Sequence, residues 1–373
     1  MTEPFRPPPY PYDRLDAVRE LAERHHGSAV DLSVGTPCDE PAPAVLDALR
    51  SSAGPYPASI GSAAFRGAVS EWFARRLGVV VDPGDVAACV GTKEFVAGLP
   101  HWLRLRDPSR DTVLYPAVSY PSYAMGALLA GCRAVPVAVD GEWRTDLSTI
   151  DPTDAERALC LWVNTPGNPA GGLDDLVAAA EWGRANGVPV CSDECYVEFT
   201  WEGEPAVLGQ APGRTILEAG GEGVLAVHSL SKRSNLAGVR AGWYAGDREL
   251  VAYLSELRKH AGLMVPGPAQ AAAVAALGDQ GHVTEQRRRY RDRLDRLAAV
   301  LRGLGLRFPM PAGGFYLWVP APNGDAWGLV EHLAVTLGIV ASPGEFYGDA
   351  AADHVRLAVV QPDSVLDLVA DRA

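Results

Sequence analysis

The sequence predicts an α/β fold in which helices cover a largely parallel sheet, with a smaller α+β domain beside it. Between Val45 and Pro266, helix-like stretches such as Ser62–Leu77 alternate with short apolar runs, which is typical of a parallel sheet. Beyond Pro266 the pattern changes to one long charged helix and several short strand-like segments. At 373 residues the chain exceeds the size at which a single core stops growing, so we expect two domains that share a cleft.

The predicted elements follow one another in a regular order. The proline-rich opening cannot propagate a helix and predicts an extended arm, whereas Tyr12–His25 has helical apolar spacing. The smaller domain should hold a helix over His282–Leu301, followed by strands in FYLWVP, GIVASPG and HVRLAVV. We place the large domain at residues 45–270 and assign residues 1–44 and 271–373 to the small domain. The strand-like runs of the large domain are Val86–Val90, Thr112–Tyr115, Ala134–Val139, Ala158–Val163, Val188–Ser192 and Val224–His228.

Composition and charge narrow the class of function. With 47% hydrophobic and 21% charged residues the chain is an ordinary globular protein. Its formal net charge of -13, from 46 acidic against 33 basic residues, discourages binding to nucleic acid or to an anionic membrane. We find no membrane-spanning stretch and no apolar signal-peptide core, so we expect a cytoplasmic protein. The six cysteines are scattered without metal-ligand spacing, and we expect reduced thiols and no metal site.

The most informative segment is HSLSKRSNLAGVRAG, residues 228–242, which follows the strand-like run GVLAV. An isolated lysine such as Lys232 is most often an exposed loop residue. Ser229 and Arg240, however, could both donate to an anionic phosphate. An amine beside such a phosphate site could attack an aldehyde, so Lys232 is a candidate nucleophile.

Polar side chains also follow two other predicted strands, where open α/β sheets place their ligand sites. Asp193 in SDECY could simply cap a helix. If the site binds a cofactor with a pyridine ring, an anionic carboxylate could also keep the nitrogen of that ring protonated. Tyr196, three residues later, could donate to a phenolic oxygen. Asn168 lies in the turn-rich segment WVNTPGNPAGG, and its amide could donate to the same oxygen without adding charge.

Three further segments supply candidate contacts. VGTKE opens a predicted helix, so the backbone N–H groups of Thr92, Lys93 and Glu94 should point at a phosphate, although the spacing of nucleotide-binding loops is absent. Tyr120 in SYPSY could stack on an aromatic ring or belong to the core. Arg356 in HVRLAVV is costly to bury unless it is paired, which favours a role in binding a carboxylate.

Taken in this order, the motifs resemble the aspartate aminotransferase superfamily of fold-type I enzymes that use pyridoxal 5'-phosphate (PLP), from Val30 to Val359. Within it, DLSVGTP, VGTKE, YPSY, SDECY and HSLSK with LAGVRAG are most similar to the actinobacterial succinyldiaminopimelate transaminases. The resemblance implies a large domain with a mostly parallel seven-stranded sheet, PLP as cofactor, and a homodimer with shared active sites. It implies amino-group transfer between an amino acid and a 2-oxo acid, with N-succinyl-L,L-2,6-diaminopimelate and 2-oxoglutarate or glutamate as substrates.

The resemblance also implies a role for each motif residue. Lys232 would form the Schiff base with PLP, and Asp193 would pair with the pyridine nitrogen. Asn168 and Tyr196 would donate to the phenolic oxygen, and Tyr120 would stack on the ring. The cofactor phosphate would be held by Thr92, Lys93, Glu94, Ser229 and Arg240, together with Tyr56 of the partner subunit. The substrate α-carboxylate would be held by Arg356, Asn168 and the backbone of Gly35.

Two features depart from the family pattern, and two alternatives stay open. Ala170 in NTPGNPAGG replaces the threonine of the usual form NxPxNPTG, and no second arginine for the distal part of the substrate can be identified. One alternative is another PLP reaction on the same fold, such as a β-lyase, a decarboxylase or transamination in a specialised pathway. The other is a transcriptional regulator, which the acidic charge and the short proline-rich segment before the core disfavour.

Overall fold

The strands of this computed structural model form three sheets within the described residues, which are 5–26, 28–50 and 54–373. The largest sheet has seven strands. In chain order the strands of all three sheets are β1 (Val30–Asp31), β2 (Val86–Cys89), β3 (Thr112–Pro116), β4 (Arg133–Val137), β5 (Ala158–Asn164), β6 (Val190–Asp193), β7 (Val224–Ser229), β8 (Gly242–Gly246), β9 (Tyr316–Pro320), β10 (Ile339–Val340), β11 (Ser342–Pro343) and β12 (His354–Ala358). The large sheet has the order β2-β8-β7-β6-β5-β3-β4, and its strands are parallel except β8, which is antiparallel to β2 and β7. The predicted α/β fold with a mostly parallel seven-stranded sheet is therefore confirmed.

Helices cover both faces of this sheet and build much of the smaller part of the molecule. In chain order they are α1 (Asp16–Ala22), α2 (Pro43–Arg50), α3 (Ala63–Trp72), α4 (Thr92–Arg106), α5 (Ser122–Leu129), α6 (Pro152–Arg157), α7 (Leu176–Asn186), α8 (Leu230–Arg233), α9 (Arg248–His260), α10 (Gly267–Gly278), α11 (Gly281–Gly303), α12 (Ala326–Leu337) and α13 (Asp363–Asp371). Several begin at a side chain that accepts a backbone N–H of the first turn, as Ser62 does for α3 and Asp247 for α9. Such caps satisfy donors that have no partner within the helix, and so they determine where a helix begins.

Two apolar layers enclose the large sheet, because successive side chains of a strand point to opposite faces. Along β5, Leu161 and Val163 pack into the layer formed with α3, α7 and α10. Cys160 and Trp162, which alternate with them, pack into the layer formed with α4, α5 and α9. Burial on both faces explains why these strands appear in the sequence as continuous apolar runs.

The predicted strands of the large domain all occur, with ends displaced by one or two residues. The run predicted to end at Val139 ends at Val137, and the run predicted to begin at Val188 begins at Val190. β8, with the sequence GWYAG, is not among the predicted strands, because it is short and begins and ends with glycine. The helix predicted over Ser62–Leu77 is α3 followed by a π-helical turn.

The smaller part of the molecule joins the two ends of the chain. β1 pairs in parallel with β10, with Val30 opposite Ile339, and β9, β11 and β12 form an antiparallel sheet. Leu15 and Val18 share one apolar cluster with Val330 of α12. The predicted long charged helix is α11, and the first predicted helix is a 3-10 turn that leads into α1. These contacts favour the assignment of both chain ends to one domain, whose limits stay a prediction.

Three observations bear on the remaining expectations. All six cysteines are free thiols, and four of them are buried. In the described ranges no helix is long and apolar enough to cross a bilayer. Histidine, cysteine and carboxylate side chains of those same residues form no group of three or more that could hold a metal ion. Residues 1–4, 27 and 51–53, which fall within the predicted domains, lie outside the described ranges.

Candidate active site

A cavity of about 550 Å³ lies where three neighbouring strands of the large sheet end. Asn164, Asp193 and Ser229 are the last residues of β5, β6 and β7, and all three line it. This is the position at which open α/β sheets bind their ligands. Most of the residues selected from the sequence also line the cavity, namely Gly35, Thr92, Lys93, Tyr120, Asn168, Asp193, Tyr196, Ser229, Lys232, Arg240 and Arg356.

Lys232 lies on α8, a helix of four residues that starts directly after β7. Its ammonium group donates to the backbone carbonyl of Gly35 and forms no ion pair with any carboxylate in the described part of the chain. Burial lowers the pKa of Lys232 to about 8, and the nearby cations Arg356 and Arg240 act in the same direction. About a tenth of this amine is therefore neutral near pH 7, far more than for a solvated lysine, and a nucleophile or a base requires the neutral form.

Hydroxyl groups and a guanidinium lie in the same cavity, at the N-terminus of α4. The hydroxyls of Ser229 and Ser231 are 2.8 Å apart, and Thr92 is the first residue of the helix. Arg240 donates to two backbone carbonyls and forms no ion pair within the described residues. A Cβ on Gly91 would lie 2.1 Å from Nη2 of Arg240, so only glycine lets the guanidinium approach the start of α4. With the partial positive charge of the helix N-terminus, these groups form a site for an anion such as phosphate.

Asp193 ends β6 with its carboxylate in the cavity. Oδ2 accepts a hydrogen bond from the hydroxyl of Tyr123 at 2.9 Å, and Oδ1 accepts the backbone N–H of Cys195 at 3.2 Å. Burial raises the pKa of Asp193, and the two donors oppose that effect by favouring the charged form. An aspartate held in this way can pair with a protonated nitrogen heterocycle.

Arg356 is a fully buried guanidinium on β12. Nη1 donates to Oδ1 of Asn168 at 2.7 Å, and Nη2 donates to a backbone carbonyl and to the hydroxyl of Tyr12. Its Cζ lies 4.3 and 4.8 Å from the ring centroids of Tyr316 and Tyr347. Among the residues described, it has no carboxylate partner, and its Nε has no hydrogen-bond partner. A buried cation without an anion is costly, so this arrangement favours an anionic ligand.

Asn168 and Tyr196 supply neutral donors to the same cavity. Asn168 uses its side-chain oxygen to accept from Arg356, and its NH2 group, which donates to none of the described residues, can donate to a ligand. The hydroxyl of Tyr196 lies 2.8 Å from that of Tyr316 on β9. Burial raises the pKa of Tyr196 well above its ordinary value, so this hydroxyl keeps its proton and can donate.

Comparison with known proteins identifies the family. A family model described as aminotransferase class I and II matches residues 28–372. The chain belongs to this family. Its members use PLP, and the predicted enzyme class and cofactor are thereby confirmed.

Similar proteins share the aminotransferase name and differ in their substrates. The aminotransferase is 40% identical over 371 residues to 4-dedimethylamino-4-oxo-anhydrotetracycline transaminase OxyQ of Streptomyces rimosus, and the match covers 98% of each chain. It is 35% identical to an LL-diaminopimelate aminotransferase of Desulforudis audaxviator, with 95% of this chain and 92% of that one covered. Among solved structures, a probable N-succinyldiaminopimelate aminotransferase of Thermus thermophilus has a TM-score of 0.84 at 28% identity, with 97% and 98% covered.

The side chains that line the cavity of the aminotransferase are chemically suited to hold PLP. Arg240 and the hydroxyls of Ser229 and Ser231 suit the phosphate, since the guanidinium has no acidic partner within the described residues. Asp193 suits the pyridine nitrogen, because both of its oxygens already accept donors that favour the anion. Lys232 presents its amine to the same space. The residues present therefore match the group that the family uses.

The structure gives less direct support to three of the predicted cofactor contacts. The exposed Lys93 donates through Nζ to the hydroxyl of Tyr120 at 3.1 Å, so its side chain turns away from the phosphate site. Glu94 binds Arg258 through two contacts of 2.7 Å and does not line the cavity. The expectation for both concerns their backbone N–H groups, and it stays a prediction. Tyr56 is 93% exposed and lies outside the cavity of its own chain, so its contact with the cofactor of a partner also stays a prediction.

Sequence reasoning does not find the tyrosines that complete the cavity of the aminotransferase, which are Tyr10, Tyr12, Tyr123 and Tyr316. Two of them contact Arg356, and one contacts Asp193. In the sequence they stand in proline-rich or apolar segments, where a tyrosine is ordinarily assigned to the core. The motif YPSY contains Tyr123 as well as Tyr120, and it is the one local signal for the former.

Proposed function

We propose that this aminotransferase moves an amino group between an amino acid and a 2-oxo acid, with Lys232 as the amine that holds PLP and transfers protons. The observation that supports this most directly is that one cavity contains both the amine of Lys232 and the buried guanidinium of Arg356, which has no carboxylate partner among the described residues. The first suits a nucleophile and base, and the second suits a carboxylate. An α-amino acid has an amino group and a carboxylate on one carbon, so it matches both.

Each part of the proposed transfer has a residue in the cavity. When bound, PLP accepts the electron pair that is left on the substrate's α-carbon. Once the substrate's amino group has displaced it from the cofactor, Lys232 would take the proton from that carbon and later deliver it to C4' of the cofactor. Asp193 remains anionic and pairs with the ring nitrogen. The substrate's α-carboxylate binds Arg356, Asn168 and the backbone of Gly35. The phenolic oxygen of the cofactor accepts from Asn168 and Tyr196, and the cofactor ring stacks on Tyr120. The cofactor phosphate binds Thr92, Ser229, Arg240 and the backbone of Lys93 and Glu94.

We propose N-succinyl-L,L-2,6-diaminopimelate as the amino acid substrate, with 2-oxoglutarate and glutamate as the second pair. Diaminopimelate in the names of the Desulforudis and Thermus relatives supports this choice. Lys93 also supports it, because its amine lies 5.2 and 5.4 Å from the ring centroids of Tyr10 and Tyr120 and forms no ion pair in the described ranges. The succinyl group and glutamate both end in a second carboxylate, which such a cation can bind.

A second candidate is transamination of a different compound in a specialised pathway. The similarity to OxyQ, at 40% identity over 98% of both chains, favours this candidate. Tyr10, which lines the cavity and is about half exposed, would then offer an aromatic surface to a larger substrate. The two candidates differ in whether the cation of Lys93 is needed for catalysis.

We further propose a homodimer in which Tyr56 of the partner subunit completes the phosphate site. The side chain of Tyr56 is 93% exposed, so it packs little against the described residues of its own chain. A tyrosine exposed to this extent is suited to contact another molecule, since its ring is apolar and its hydroxyl can donate.

A substrate panel with the holoenzyme tests the proposed function. N-succinyl-L,L-2,6-diaminopimelate with 2-oxoglutarate should give glutamate, with a kcat/KM about tenfold or more above that for simple amino acids. Lys232→Ala should abolish turnover and keep some PLP binding through the phosphate contacts. Borohydride reduction followed by peptide mass spectrometry should find PLP on Lys232. Pyruvate and ammonia as products would indicate a β-lyase, and normal turnover by Lys232→Ala would rule out the mechanism.

A further inference from the structure

Tyr123 contacts the carboxylate of Asp193 from the helix layer behind the cavity. Its hydroxyl donates to Oδ2 at 2.9 Å. Tyr123 is 2% exposed, and its ring lies 5.4 Å from that of Trp162 on β5. Burial and the neighbouring carboxylate raise the pKa of Tyr123 well above its ordinary value. The hydroxyl therefore keeps its proton and stays a donor to Asp193 throughout the physiological pH range.

Gly126 explains how α5 brings this hydroxyl within reach of β6. A Cβ on Gly126 would lie 2.9 Å from the backbone carbonyl of Val96, so the absence of a side chain lets α5 pack directly on α4. Tyr123 precedes Gly126 by three residues and so lies on a similar face of the helix. The close packing of the two helices thus places the Tyr123 hydroxyl beside the end of the strand.

Each oxygen of Asp193 accepts a hydrogen bond from a described residue, and a carboxylate has further acceptor positions for a ligand. Oδ1 accepts the backbone N–H of Cys195 at 3.2 Å, and Oδ2 accepts the Tyr123 hydroxyl. A carboxylate has about four acceptor positions, so a protonated ring nitrogen can be added to these two donors. His228, which lies near Asp193, is itself 3.0 Å from Glu194. The titratable groups that face Asp193 in the described ranges are Cys89, Tyr123, Cys195, His228 and Lys232.

We propose that Tyr123 is a positioning residue whose hydroxyl keeps Asp193 ionised and directed at the pyridine nitrogen of PLP. This proposal rests on the role of Asp193 in the proposed function. A hydrogen bond to the charged form of a carboxyl group favours that form, so loss of the donor makes Asp193 retain its proton more tightly. A neutral carboxyl group does not hold the ring nitrogen in its charged state. The cofactor then binds less tightly and withdraws electrons from the substrate less strongly.

Tyr123→Phe tests the proposal, because it removes the hydroxyl and keeps the ring that packs against Trp162. Tyr244→Phe is the matched control, since Tyr244 lies in the same buried layer and its hydroxyl is 3.3 Å from that of Ser255. The ionisation of Asp193 is followed by carbon-13 NMR of the cofactor-free full chain. Tyr123→Phe should increase the proton affinity of Asp193 about tenfold, which is the effect of one hydrogen bond to a charged group. PLP should also dissociate from the Tyr123→Phe holoenzyme about tenfold faster, and Tyr244→Phe should change neither quantity.

A second measurement uses the wild-type protein alone. The deuterium isotope shift on the Asp193 carboxyl carbon should report the hydrogen bond directly, and it tests the contact even where a variant folds poorly. Absence of that shift, or equal titration of Asp193 in wild type and Tyr123→Phe, would overturn the proposal. An equal effect of Tyr244→Phe would also overturn it. A wild-type chain that binds no PLP at Lys232 would instead contradict the proposed function, so the two failures are distinguishable.

Discussion

The side-chain oxygen of Asn168 accepts a hydrogen bond of 2.7 Å from Nη1 of Arg356. This contact joins the turn after β5 of the large sheet to β12 of the three-stranded sheet. An amide orients the guanidinium without neutralising it, because the amide has no charge. The cavity therefore contains a cation that is held in place and remains available to a carboxylate.

Arg356→Met should reduce kcat/KM for amino acid substrates by about a hundredfold or more, since a charge-assisted and bidentate contact with the α-carboxylate is lost. The unfolding temperature of the cofactor-free protein should stay the same or rise, because an apolar side chain replaces a buried cation that has no acidic partner among the described residues. Steady-state kinetics and calorimetry measure the two effects. The affinity for PLP is the control and should fall much less than kcat/KM, because Arg356 does not contact the phosphate site. A large fall in unfolding temperature would mean that Arg356 has a structural role instead.

Gly91→Ala should weaken PLP binding by about tenfold or more, because the added methyl group displaces the guanidinium of Arg240 that a phosphate needs. The position also has a φ of +76°, which costs an alanine about 1 kcal/mol or more. Gly67→Ala on α3 is the control, since its Cβ would meet nothing within 4 Å in the described structure and alanine favours a helix. Fluorescence titration with PLP compares the two variants. Equal affinities would contradict the phosphate site.

The rate at which the cofactor-free protein captures PLP should rise with pH and level off above a midpoint near 8. Lys232 has a pKa lowered by burial from 10.5 to about 8, so its reactive neutral form becomes dominant above pH 8 rather than above 10.5. Stopped-flow absorbance measures the rate. A midpoint near 10.5 would show that the amine is solvated. By linkage, the unfolded chain binds the Lys232 proton more tightly, so this residue's contribution to folding becomes more favourable as pH rises from about 8 to 10.5.

Lys93→Met should raise KM about tenfold for substrates with a second carboxylate, such as glutamate, and should leave alanine unaffected. The reason is that Lys93 is exposed, lines the cavity, and has no acidic partner within the described residues. Lys259→Met is the control, because Lys259 lies on α9 and pairs with Glu256 at 3.7 Å. An equal loss for glutamate and alanine would exclude a role in reading the distal carboxylate. No loss for either would favour the specialised-pathway candidate.

Mixed dimers of Lys232→Ala and Tyr56→Phe should recover the activity of one normal site. If Tyr56 of the partner subunit completes the phosphate site, one site of the mixed dimer receives both changes and the other receives neither. Dimers of Tyr56→Phe alone should bind PLP less tightly. The loss of binding free energy should be roughly that of one hydrogen bond to a charged group. Titrating one variant with the other, and following activity at a PLP concentration too low to saturate Tyr56→Phe, measures the recovery. Activity no higher than that of the separate variants would place Tyr56 in its own site or outside both.

Local sequence was sufficient for the parts of the site that lie at strand ends. Asp193 and Ser229 directly end strands that the apolar runs predict, and Lys232 follows three residues after Ser229. Because parallel strands bring their carboxyl ends to one edge, their neighbours in the sheet could be expected to share a site. The direction of a side chain was less predictable. Glu94 turns to Arg258, although its position on α4 suggests the phosphate site.

The sequence by itself determined the α/β fold and predicted a site around Lys232, because hydrophobic period and short motifs act over a few residues. Only the tertiary structure decided the contacts of Tyr123 with Asp193 and of Tyr12 with Arg356, whose partners are 70 and 344 residues apart. The first depends on the close packing of α5 on α4 that Gly126 permits. The second depends on both ends of the chain meeting in one apolar cluster. Such contacts arise from the fit of whole elements, for which no short segment contains the information.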